Sequence, residues 1–149
     1  MPTRREILNA AAALMGASLF GVPASRAGTQ VEDAIREKTR GAPIERGRVT
    51  LGIPQIAENG LSVFTTVTVD SPMTQDDHVK AIHLFSEKNP LAHIVTFRLG
   101  PRAGRAMVST NIRLAASQRV TAIAEMNDGR FFADERSLVV TIAACIDGG

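Results

Sequence analysis

Cys145 is the only cysteine in a chain of 149 residues, and four residues follow it, Ile146-Asp147-Gly148-Gly149. A cysteine thiolate is a strong nucleophile and can hold a substrate through a sulfur–sulfur bond. With no second cysteine an internal disulfide is excluded, which leaves three uses: an inert thiol in a core, a link to another chain, or a working group. A glycine-rich stretch this short can hardly be packed on all sides, which weighs against the first. The histidines His78, His83 and His93 lie five and ten residues apart, and that matches no metal-ligand spacing. His83 and His93 fall on separate expected strands and read as surface or half-buried strand residues. A blue-copper centre is excluded, since neither His nor Met follows Cys145. Asp76 and Asp77 are neighbours that point apart in an extended segment, so they make no acid–base dyad. Gly100-Pro101-Arg102-Ala103-Gly104 reads as a turn, and no Gly-rich phosphate loop is present. These patterns imply no catalytic residue, no metal and no cofactor.

The chemistry open to Cys145 depends on its compartment. Residues 1–27 read as an export signal: a charged start, an apolar run from Ala10 to Val22, and small residues at Ser25 and Ala27 before the expected cleavage. The run is too short to span a bilayer, which takes about 20 residues. Arg4-Arg5, with Ile7-Leu8 after them, resembles the twin-arginine signal, whose route carries proteins already folded. The expected location is therefore the periplasm. Formal net charge is +2, but residues 28–149 hold 14 basic and 14 acidic side chains. A neutral domain gives no electrostatic reason to expect nucleic acid or an anionic membrane as partner.

The elements that would position Cys145 follow from hydrophobic spacing. Val31, Ala34, Ile35 and Lys38 share one side of a helix expected over Val31–Arg40, stopped by Gly41 and Pro43. Beyond it the period is two. Val63, Thr65, Val67 and Val69 alternate with Phe64, Thr66, Thr68 and Asp70, and the same pattern holds over 105–114 and 119–126. Further strands are expected at Arg48–Ile53, Val79–Ser86, His93–Leu99 and Arg136–Ile142. Asn127-Asp128-Gly129 signals a hairpin, and Asn89-Pro90 and Gly100-Pro101 break the chain. About seven short strands, each with one buried face, predict an all-β fold: an immunoglobulin-like β-sandwich over 28–142 with a short N-terminal helix and a flexible C-terminal tail, 143–149.

Several segments, in order, resemble one family. They are Ile53-Pro54-Gln55-Ile56-Ala57-Glu58-Asn59-Gly60; Asp70-Ser71-Pro72-Met73-Thr74 with Asp77-His78-Val79; Lys88-Asn89-Pro90; Thr110-Asn111-Ile112-Arg113-Leu114-Ala115; and Ala124-Glu125-Met126-Asn127-Asp128-Gly129. Together they resemble SoxY, the sulfur-carrier subunit of bacterial thiosulfate oxidation. The resemblance implies a covalent substrate carrier without catalysis of its own, with thiosulfate-derived sulfur held on Cys145. It implies a heterodimer with a SoxZ-like subunit, and transient partners of the SoxAX, SoxB and SoxCD types that load the thiol, remove sulfate and oxidise the remaining sulfane. A non-carrier assembly or binding subunit of the same family is the alternative. Strands exposing Val, Phe and Met are the expected heterodimer face. The family tail is Gly-Gly-Cys-Gly-Gly, whereas this chain has Ala143-Ala144-Cys145-Ile146-Asp147-Gly148-Gly149. The two alanines stiffen the arm, and Asp147 sets a negative charge two residues from the sulfur.

Overall fold

The structure, a computed structural model, describes residues 26–142. The twin-arginine pair Arg4-Arg5 and the tail 143–149, with Cys145, lie outside the described residues. Among these, one helix, α1 (Arg26–Thr39), precedes nine strands: β1 (Ile44–Arg46), β2 (Val49–Gly52), β3 (Ile56–Asn59), β4 (Val63–Val69), β5 (Val79–Ser86), β6 (His93–Arg98), β7 (Met107–Ile112), β8 (Gln118–Met126) and β9 (Phe131–Ile142). The larger sheet runs β1-β9-β8-β5-β6, with β3 also on β9, and the smaller runs β2-β4-β7. The sheets enclose a core that includes Leu51, Val63, Val67, Ile82, Leu84 and Leu114. The fold is thus the expected all-β sandwich with an N-terminal helix. No helix among the described residues is long and apolar enough to cross a membrane.

The period-two reading holds for the small sheet, where Val63, Thr65, Val67 and Val69 are buried and Phe64 and Thr68 are exposed. It fails for β5 and β8, which are buried on both faces. The reason is α1, which lays Val31, Ala34 and Ile35 over Phe85, Ile123, Phe131 and Ala133 on the outer face of the large sheet. The helix starts at Arg26, five residues before the expected Val31. Its apolar stripe begins only at Val31, and Gly28 and Thr29 are poor helix formers. The expected cleavage after Ala27 therefore falls inside α1.

Strands β1 and β3 were not expected, and β9 starts at Phe131 rather than Arg136. Both short strands run parallel to β9, β1 along its start and β3 along its end. Between them the chain crosses to the small sheet as β2. Gly47 (φ 104°) and Arg48 (φ 61°) make the crossing. The strained Arg48 is held by its side chain: Nε donates to the Asp70 carbonyl at 2.8 Å, and Nη2 to the Asp77 carboxylate at 2.9 and 3.1 Å. Asp134, in the stretch of β9 between β1 and β3, accepts the Leu51 N–H at 2.9 Å and ties β2 back to β9.

Candidate functional site

Cys145 stands three residues beyond the end of β9, so whatever fixes that end fixes where the thiol can go. β9 pairs with β8 as far as Leu138, opposite Gln118. Past that point β3 takes over, with Ile56 opposite Val139, Ala57 opposite Val140 and Asn59 opposite Ile142. The Val139 N–H donates to the Gln55 carbonyl at 2.9 Å, and Thr141 Oγ1 donates to the Glu58 carbonyl at 3.2 Å. On the side that β8 no longer covers, Ser117 substitutes for a strand: the Val140 N–H donates to its Oγ at 2.8 Å, and that hydroxyl donates back to the Val140 carbonyl at 3.4 Å.

The segment Ile53–Gly60 therefore builds the strand that guides β9 toward the tail. Gly60 closes it. The Leu114 N–H donates to the Gly60 carbonyl at 2.8 Å, and a Cβ at residue 60 would lie 2.2 Å from the Leu114 carbonyl oxygen. Only glycine lets these backbones meet. Two more of the resembling segments join here. Asn89 Nδ2 donates to the Arg113 carbonyl at 2.7 Å, while its Oδ1 accepts the Ala115 N–H at 3.0 Å and Gln118 Nε2 at 3.1 Å. Three segments far apart in the chain thus brace one end of the sandwich, the end from which residues 143–149 continue.

The other two segments meet at the far end of β9. The Asn127 side chain accepts the His78 N–H at 3.0 Å and donates to the Asp76 carbonyl at 3.1 Å. Gly129 (φ 86°) turns the chain into β9, and its N–H donates to the Met126 carbonyl at 3.0 Å. His78 is half-buried, with Nδ1 2.9 Å from the Thr74 carbonyl. Asp77 pairs with Arg48 and Asp76 contributes only its carbonyl here, so the two carboxylates form no joint site, as the sequence implies.

His83 and His93 do come together, beneath α1. Thr96 Oγ1 lies 2.8 Å from His83 Nδ1 and 2.8 Å from His93 Nε2. His83 is buried and its Nε2 has no hydrogen-bond partner; Glu125 Oε2 lies 3.7 Å from it. Glu125 is itself buried and also faces Arg40 at 3.5 Å and Lys80 at 3.6 Å. The Thr96 hydroxyl carries one proton, so it donates to one of these ring nitrogens and accepts from the other. Burial holds His83 below the usual histidine range against the pull of Glu125, and burial also lowers His93. Among the described residues no three His, Cys, Asp or Glu side chains converge as a metal ion would require. The sequence left these histidines as separate strand residues; their link through Thr96 depends on the pairing of β5 with β6.

Comparison with known proteins fits this arrangement. A family profile described as "Sulfur oxidation protein SoxY" matches residues 35–145, from within α1 to Cys145. No curated protein matches the chain. Among solved structures, the sulfur carrier protein SoxY from Chlorobium limicola f thiosulfatophilum is similar, at 25% identity and a TM-score of 0.65, with 76% of this chain and 94% of that one covered. A superoxide reductase (neelaredoxin) from Ignicoccus hospitalis shares the fold alone, at 16% identity and a TM-score of 0.56, over 63% of this chain and 80% of that one. A putative superoxide reductase from Thermotoga maritima does so too, at 18% identity and a TM-score of 0.54, over 64% and 86%. With a profile match that takes in most of the sandwich and ends on the cysteine, the chain belongs to the SoxY family of sulfur carriers.

Proposed function

We propose that this protein carries thiosulfate-derived sulfur covalently on Cys145 in the periplasm, after export by the twin-arginine route, as one half of a heterodimer with a SoxZ-like subunit. The observation that supports this most is the bracing of the end of β9 by three family segments, three residues before the cysteine. A carrier needs no catalytic group; it needs a thiol that other proteins can reach. Joining the Cys145 thiolate to the outer sulfur of thiosulfate forms a sulfur–sulfur bond and removes two electrons, which a SoxAX-type cytochrome accepts. Water then attacks the terminal sulfonate on a SoxB-type hydrolase, releasing sulfate and leaving a persulfide on Cys145. SoxCD-type enzymes oxidise that persulfide.

The test is Cys145→Ser in the native host. Thiosulfate consumption is expected to stop while the variant stays folded and exported. Consumption at the wild-type rate would instead support a non-carrier assembly subunit of the same family.

A further inference from the structure

Helix α1 covers the outer face of the large sheet over Phe85, Ile123, Phe131 and Ala133, which leaves the last third of β9 uncovered. On that bare stretch Ile56 and Val139 lie side by side in register on adjacent strands, 63% and 52% exposed. Exposed Ser137, Thr141 and Glu58 surround them with polar groups. A pair of large β-branched side chains left open beside a polar rim is a small apolar contact surface.

The sequence distance to Cys145 limits what can sit on it. Cys145 is three residues past Ile142, and three residues reach at most roughly 10 Å. A protein that encloses the thiol in its own active site therefore presses its entrance against the end of β9. We propose that Ile56 and Val139 form the docking surface for the enzymes that load and unload Cys145, and that the matching feature on those enzymes is an apolar rim around the channel that admits the tail. The inference rests on the carrier reading above. Size argues for a passing enzyme rather than a permanent subunit: two apolar side chains suit a transient contact, whereas permanent interfaces are larger and more apolar. Phe64 and Met107, also exposed, lie on the outer face of the small sheet and are not part of this surface.

The test uses the full chain in its native host, with Ile56→Thr and Val139→Thr combined, changes that keep strand propensity. Starved cells receive a thiosulfate pulse, and adducts on Cys145 are followed by intact mass. The initial rate of adduct formation is expected to fall about tenfold, the loss of one modest docking contact. Alkylation of the purified protein by iodoacetamide and retention of the co-purifying subunit should match wild type, and Met107→Thr, on the small sheet, should load normally. Where the double variant melts early, Val139→Thr alone, nearly isosteric, gives the same comparison. A wild-type loading rate in the variants overturns the proposal. So does loss of the co-purifying subunit, which would make the patch the heterodimer interface. A wild-type protein that forms no adduct at all defeats the carrier reading itself, and the docking inference with it.

Discussion

At the scale of single residues, the buried chemistry and the proposed working chemistry are far apart in kind. His83, Thr96 and His93 are wired together beneath α1 with Glu125 opposite; His83 is buried, and only the His93 end reaches a groove beside the helix. The consequence of this wiring is for stability. Both histidines titrate lower in the folded protein than in the unfolded chain, so below about pH 6.5 the unfolded chain binds more protons. Their contribution is present in full above that pH and is lost as pH falls toward the folded-state values. Melting temperature is expected to fall between pH 7 and pH 5, and His83→Gln should flatten the profile; an unchanged slope in that variant would show that His83 is not the group responsible. The sequence alone pointed to Cys145 as the residue to watch, because a lone thiol in a chain that reads as exported stands out by count. It was silent on Ser117, an ordinary serine just before β8, whose two bonds to Val140 appear only because the pairing of β8 leaves the last four residues of β9 uncovered.

At the scale of elements, β3 and the Ser117 clamp set where β9 stops. Ser117→Ala removes both side-chain bonds to Val140 and leaves a half-buried N–H without its acceptor, at an expected cost of about 1–3 kcal/mol. Hydrogen exchange should show the loss locally, as faster exchange at Val140 with little change in β5. Gly60→Ala forces a methyl into the Leu114 carbonyl and is expected to cost about 1–3 kcal/mol or more by overpacking, read as a lowered denaturant midpoint. The long strands were legible because alternation of Val, Thr and Ile needs only one buried face to be visible. β3 was not, since four residues beginning two after a proline carry no period, and its partner lies some eighty residues away. The double burial of β5 and β8 was hidden for a related reason: which strands a helix covers is decided by packing, and α1 shows only its own stripe.

At the scale of the whole molecule, family segments gather at the two ends of β9, one holding the hairpin that starts it and the other the clamp that releases it. In the carrier reading the sandwich is the mount for residues 143–149. The arm itself departs from the family, with Ala143-Ala144 before the cysteine and Ile146-Asp147 after it. Replacing residues 143–149 with Gly-Gly-Cys-Gly-Gly is expected to speed loading by a SoxAX-type enzyme that serves a glycine-tailed carrier, since the graft removes bulk and lowers the negative charges after the sulfur from two to one. Equal rates for graft and native tail would mean that these residues do not set partner choice.

The central claim is that Cys145 bears the substrate. Its most direct test is the intact mass of the protein isolated from cells using thiosulfate, before and after a reductant. The account requires sulfur-containing adducts that map to residues 143–149 and disappear on reduction. A single unmodified mass from actively oxidising cells would contradict it.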